Sequence, residues 1–101
     1  MDPIINLSDL KAQLGLTDDQ NGDDWLIQGK IDAAENHIDR LLGYSMRTRF
    51  VTLDAVPASL KEAVAQLAAW WFENREAATD MSRELPFGVR EIVNEYREWS
   101  F

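Results

Sequence analysis

The sequence contains no cysteine. A chain without thiols forms no disulfide bond, has no cysteine nucleophile and offers no thiolate to a metal ion, and this composition fits a reducing cytoplasm. No apolar run reaches the roughly 18–20 residues that cross a membrane. The first residues, Met1-Asp2-Pro3, lack the basic start of a signal peptide. We therefore expect synthesis in the cytoplasm and no membrane partner.

Basic residues are also few. Lysine and arginine number 10 against 18 aspartates and glutamates, which gives a formal net charge of −8. A protein that grips DNA neutralises phosphates with lysine and arginine. The charge and the lack of a basic recognition helix therefore disfavour a DNA-binding regulator of the helix-turn-helix type.

Histidine is scarcer still, because His37 is the only one. It has no acid or serine at a triad spacing, and one histidine without cysteine cannot form a zinc site, so we expect it on a solvated helix face. The aspartate-rich segment 17–24 fails the order of an EF-hand loop, since the sixth position from Asp19 is Asp24 and the twelfth is Lys30. We predict no catalytic residue, no metal site and no cofactor, and hence no enzyme.

What the sequence does contain is helical periodicity. With 101 residues, 46% of them hydrophobic, the chain can bury one modest core, so we predict a single all-α domain of about four helices over residues 1–101. In the first helix, Leu7, Leu10 and Leu14 recur at helical spacing, Ser8 is the expected N-cap, and Gly15 is the expected stop.

Three longer helices are predicted after it. The second spans Asp24–Leu42 and ends at Gly43, with a core stripe of Ile27, Ile31, Ala34, Ile38 and Leu41. The third starts at Pro57 and continues to residue 77 or 78, with a core stripe of Leu60, Val64, Leu67, Ala68 and Trp71. The fourth opens at Pro86, with a core stripe of Val89, Ile92, Val93, Tyr96 and Trp99.

Residues 44–56 break the helical period. The stretch 47–53 is β-branched and aromatic with rough alternation, which predicts an extended arm or a short hairpin between helices two and three. A lone hairpin is marginal in water, so this arm needs a surface to pack on.

Aromatic residues exceed what one helix face can bury. Successive helical residues are about 100° apart, so Trp70, Trp71 and Phe72 wrap most of the third helix, and Trp25 lies off the stripe of the second. Exposed aromatics of this size tend to mark interfaces, although burial by the arm or the C-terminus is the alternative.

Charged residues also cluster on particular faces of helices two, three and four. On helix two, acidic Asp32, Glu35 and Asp39 oppose basic Lys30, His37 and Arg40, a polarity that suits a head-to-tail contact between subunits. Helices three and four carry acidic rows that are either a solvated face or the wall of a channel. The candidate interface residues are Trp25, Lys30, Arg40, Arg47, Arg49, Phe50, Trp70, Phe72 and Arg75, and the candidate acidic face comprises Glu62, Glu73, Glu76, Glu91, Glu95 and Glu98.

Two stretches carry a resemblance to a known family. One is the order of apolar residues over 7–43. The other begins with Pro57-x-x-Leu60-x-x-Ala63-x-x-x-Leu67, and its more specific part is Trp71-Phe72-Glu73-Asn74-Arg75-Glu76 followed by Leu85-Pro86-x-Gly88-Val89 and Tyr96-Arg97. Together they resemble the head–tail connector (adaptor) proteins of tailed bacteriophages, over nearly the whole chain. That family often has tyrosine where this chain has tryptophan or phenylalanine.

The resemblance implies a non-enzymatic subunit of a ring of about twelve copies, docked beneath the portal protein in the virion. Such a ring joins the head to further connector or tail proteins and lets genomic DNA pass as transiting cargo. A small adaptor that binds one helical partner without forming a ring is the alternative. A 1:1 complex with a defined partner favours that alternative, whereas a closed oligomer favours the connector.

Overall fold

A computed structural model describes residues 4–17, 19–50, 52–74 and 88–97 of the chain. In these ranges the protein is all helical, as predicted, and no strand is present. The helices are α1 (Leu7–Gln13), α2 (Asp24–Leu42), α3 (Met46–Arg49), α4 (Ala58–Glu73) and α5 (Val89–Tyr96), and a 3-10 turn at Leu53–Ala55 precedes α4.

Glycines and capping residues determine where the helices begin and end. Gly15 and Gly43 adopt positive φ angles of 81° and 87° after α1 and α2, as their predicted roles as stops require. The N-cap of α1 is Asn6 instead of the expected Ser8, because the Asn6 Oδ1 accepts the Ser8 backbone N–H at 2.8 Å. Pro57 is the N-cap residue of α4 and not its first helical residue.

Two of the predicted boundaries reach beyond the described residues. The α4 helix ends at Glu73 with Asn74 as its C-cap, and the predicted continuation to 77 or 78 lies outside the described residues. The α5 helix begins at Val89 after Gly88, whose φ is 96°, and the expected start at Pro86 and the core position Trp99 also lie outside them.

The core lies between α2 and α4, with α1 and α5 each packed against both. From α2, Ile27, Ile31, Ile38 and Leu42 are fully buried, and from α4, Leu60, Val64 and Leu67 are. Each such side chain contributes about 1.5–3 kcal/mol when it leaves water. The predicted stripes are confirmed at these positions except at the end of α2, where Leu42 is buried instead of the predicted Leu41. Trp71, Ile92 and Tyr96 are likewise only partly buried, at the edge of the core.

The expected extended arm or hairpin is wrong. Residues 46–49 form α3, a single helical turn whose N-cap Ser45 accepts the Thr48 N–H, and the 3-10 turn follows after residue 52. Met46 is fully buried and Phe50 is half-buried against the core. The segment therefore satisfies its backbone in local turns and inserts apolar side chains into the core, instead of pairing as strands.

Candidate interaction surfaces

Trp25 is the exposed aromatic residue that the sequence predicts. It is the second residue of α2, and 77% of its surface is accessible to water. Asp23, immediately before the helix, is also exposed. An indole of this size in water is characteristic of a contact site for another molecule.

The other two aromatic candidates on α4, Phe72 and Trp70, differ in how deeply they are buried. Phe72 is buried, with 8% exposure, so its expected place on an exposed flank is wrong and it belongs to the core of the single chain. Trp70 is half-buried on α4, and its backbone carbonyl accepts a hydrogen bond from the Asn74 Nδ2 at 2.8 Å. Lys30 is also half-buried, and Arg75 lies outside the described residues.

A polar clasp holds α3 against α2. The Arg47 Nε and Nη2 donate to the two carboxylate oxygens of Glu35 at 2.6 and 3.0 Å, and the Met46 backbone N–H donates to the Asp39 Oδ1 at 3.0 Å. The hydrogen bond with Glu35 raises the pKa of Arg47. Burial raises the pKa of Asp39, although the Met46 N–H and the nearby Arg47 oppose that shift.

Because of this clasp, the expectation of a fully exposed acidic flank on α2 is wrong. Glu35 is buried and Asp39 is half-buried, so both carboxylates serve contacts within the chain. Asp32 stays exposed and accepts a hydrogen bond from the Gln28 Nε2 at 3.2 Å. The sequence could not reveal the pairing of Glu35 with Arg47, because 12 residues and a helix end separate them.

Arginine side chains remain accessible at the C-terminal end of α2. Arg40 lies in the last turn of α2 and is exposed, and Arg49 is exposed with its guanidinium 4.0 Å from the centre of the Tyr44 ring. The Tyr44 hydroxyl donates to the Tyr96 carbonyl at 2.8 Å, which brings the end of α5 and the exposed Arg97 to the same region. Three of the predicted arginine candidates, Arg40, Arg47 and Arg49, thus lie near the C-terminal end of α2.

His37 is not the solvated residue expected. It is partly buried and meets Trp71 edge to face, with ring centroids 5.4 Å apart. Burial, and secondarily the positive charge of Arg40, lower the pKa of His37. Its role is packing across the α2–α4 contact.

The acidic candidates are exposed wherever the structure describes them. Glu62, Glu73, Glu91 and Glu95 all face solvent, and the Gln66 Nε2 donates to the Glu62 Oε1 at 3.1 Å. Glu62 also borders an open groove of about 540 Å³ between α1 and α4, together with Asp9 and Asp54. The other two candidates, Glu76 and Glu98, lie outside the described residues.

A buried lysine also went unpredicted. Lys11 is 3% exposed, and its Nζ lies 2.9 Å from the Asp24 Oδ1, so this ion pair ties α1 to the start of α2. Among the described residues, no group of three or more histidines, cysteines or carboxylates is placed to hold a metal ion. Within these same residues, every helix is too short or too polar to span a membrane.

Comparison with known proteins decides the family. The model of the phage gp6-like head–tail connector proteins matches residues 4–97, which include every described helix. The chain belongs to this family. No curated protein and no solved structure gave a match.

As a phage head–tail connector, the protein has a structural role at the junction of head and tail. The family is structural and not enzymatic, and membership implies interaction with other phage head and tail proteins and a place in the virion. The exposed surfaces at Trp25 and at the arginines are therefore candidate contact sites for such proteins or for further copies of the chain.

Proposed function

We propose that this connector is one subunit of a ring of about twelve copies that docks beneath the portal and joins it to downstream connector or tail proteins. The supporting observation is the family match over residues 4–97, which makes the chain a junction protein. A junction around an exit for DNA needs an open centre, and identical head-to-tail contacts between subunits close into a ring when the rotation allows.

The charge of the chain suits passage of DNA through such a ring. The net charge is −8, and the exposed Glu91 and Glu95 lie on α5 opposite its buried residues Val89 and Val93. We propose that this acidic face, with Glu62 and Glu73, borders the central channel. Carboxylates repel phosphates, so DNA passes without being held.

The proposed contacts between subunits use the exposed candidates. Trp25 and Arg40 are accessible in the single chain at opposite ends of α2, and Arg49 on α3 is exposed as well. Phe72 is not part of this surface, because it is already buried. An aromatic residue and arginines are the residue types most enriched where protein interfaces derive their binding energy.

Native mass spectrometry of the purified protein over a wide concentration range tests the ring. Twelve copies of the 11.6-kDa chain give a closed species of about 140 kDa, and that species should not grow as the concentration rises. Electron cryomicroscopy of the species then shows whether Glu91 and Glu95 line the channel.

A persistent monomer calls for the same measurement with a portal oligomer added. Assembly of many copies on the portal supports the proposal, because the portal then supplies the template. A single copy bound to one partner, with no ring under any condition, contradicts it and favours the single-partner adaptor.

A further inference from the structure

The groove between α1 and α4 has an apolar floor. Its volume is about 540 Å³, which is within the roughly 300–1,000 Å³ of typical ligand pockets. Ile4, Leu10 and Ala65 line it and are buried. Ile5 and Ala58 also line it, and the first is half-buried while the second is exposed. The groove therefore presents apolar surface that the chain itself leaves in contact with water.

The rim of this groove is acidic. Asp9 on α1, Asp54 in the 3-10 turn and Glu62 on α4 line the groove, and all three side chains are exposed. Lys61 is the one basic residue among the described residues that line it, and it is half-buried. The rim thus carries three carboxylates against one ammonium group.

Neighbouring groups leave this charge in place. The other cation of α1, Lys11, is buried and paired with Asp24, and it does not line the groove. Glu62 accepts a hydrogen bond from Gln66, whose amide is neutral. Neither α2 nor α5 contributes any of the described residues that line the groove.

We infer that this groove binds a segment of another protein in which an apolar centre is flanked by lysine or arginine. The apolar side chains cover the floor and leave water, while the basic side chains on either side meet the carboxylates of the rim. A second copy of this chain is a poorer occupant, because it brings a net charge of −8 to an acidic rim. The inference does not depend on the number of copies in the ring, because one chain forms the whole groove.

A synthetic peptide provides the probe. Fluorescein-labelled Gly-Lys-Lys-Leu-Ile-Leu-Lys-Lys-Gly has the required apolar centre and basic flanks, and fluorescence anisotropy follows its binding to the full chain. One control peptide replaces the apolar residues by serine, and another replaces the lysines by glutamate. Each control should bind at least about tenfold more weakly, because the first loses the burial of apolar surface and the second is repelled by the rim.

Two variants change the groove itself. Ala58→Trp fills it with an indole from an exposed position, and Asp54→Lys reverses one charge of the rim. The first should weaken peptide binding by about tenfold and the second by about fivefold. The matched controls are Ala33→Trp on α2 and Asp19→Lys in the loop before it, because both sites are exposed and neither lines the groove. Both controls should bind the peptide like the wild type, and circular dichroism checks that all four variants are folded.

Four results would overturn the inference. If the peptide does not bind at concentrations up to about 1 mM, the groove does not take such a segment. If the serine peptide binds as tightly, charge alone attracts it and the apolar floor is not used. If the groove variants bind as tightly as their matched controls, the peptide lies elsewhere on the acidic surface. If Ala58→Trp, but not Ala33→Trp, abolishes self-association in sedimentation velocity, a second copy occupies the groove instead. The first three results leave the proposed ring untouched, because native mass spectrometry tests it separately.

Discussion

Arg47→Ala tests whether the polar clasp holds α3 in place. The substitution removes both hydrogen bonds to Glu35 and leaves that carboxylate, whose side chain is 11% exposed, without its cation. A four-residue helix has no stability of its own, because nucleation is costly and few backbone hydrogen bonds follow. The position of α3 therefore depends on such contacts and on the burial of Met46.

The size of the effect follows from burial. Removing one partner of a fully buried ion pair costs about 3–5 kcal/mol. Here the Arg47 side chain is 24% exposed, so water partly solvates the Glu35 that remains. We expect a loss of about 2 kcal/mol in the free energy of unfolding, a substantial share of the roughly 5–15 kcal/mol typical of a domain.

Urea unfolding followed by circular dichroism provides the measurement. Arg49→Ala is the matched control, because that arginine is on the same helix and makes an exposed contact with Tyr44. Its loss should cost about 0.5–1 kcal/mol. The urea dependence, m, should be unchanged in both variants if only stability is altered.

A double-mutant cycle with Glu35→Ala isolates the pair. The coupling energy between positions 35 and 47 should be about 1–2 kcal/mol, since the two side chains are in direct contact. If Arg47→Ala costs no more than Arg49→Ala, or if the coupling is near zero, the clasp does not stabilise the fold, and the burial of Met46 alone holds α3.

Three further predictions concern α2. Ile31→Ala should lower the free energy of unfolding, measured by urea titration, by about 3 kcal/mol, because the side chain is fully buried. A loss under about 1 kcal/mol would place Ile31 outside the core. Gly29→Ala should raise the free energy of unfolding by about 0.5–1 kcal/mol, because alanine favours a helix and its added Cβ meets nothing within 4 Å. The melting temperature should therefore rise, and a lower one would contradict this prediction. For His37, whose pKa is lowered from 6.5, the unfolded chain binds the proton more readily, so stability falls as the pH drops through about 6.5 and then through the folded pKa. Relative to His37→Gln, the wild type should lose stability as the pH is lowered from about 7.5 through 6.5, and parallel pH profiles of the two proteins would contradict the assignment.

The all-α class and the central helix were predictable from the sequence. A helix buries residues every three to four positions, and the spacing of Ile27, Ile31, Ala34 and Ile38 records that geometry directly. Gly43 marks the end of α2 because a left-handed residue is required there. The family also follows from the sequence, since the stretch from Trp71 to Val89 resembles connectors and the family match covers 4–97.

Tertiary structure decided the rest, because the deciding contacts join residues far apart in the chain. Residues 46–49 have β-branched neighbours, yet burial of Met46 and the bond from Arg47 to Glu35 make them helical. Phe72 and Trp25 both lie off the predicted helix stripes, but only the packing of neighbouring helices shows that Phe72 is buried and Trp25 exposed. The spacing of apolar and polar residues along a helix shows which of its faces is apolar and which is polar. The packing of the neighbouring helices determines which of those faces remain available to another molecule.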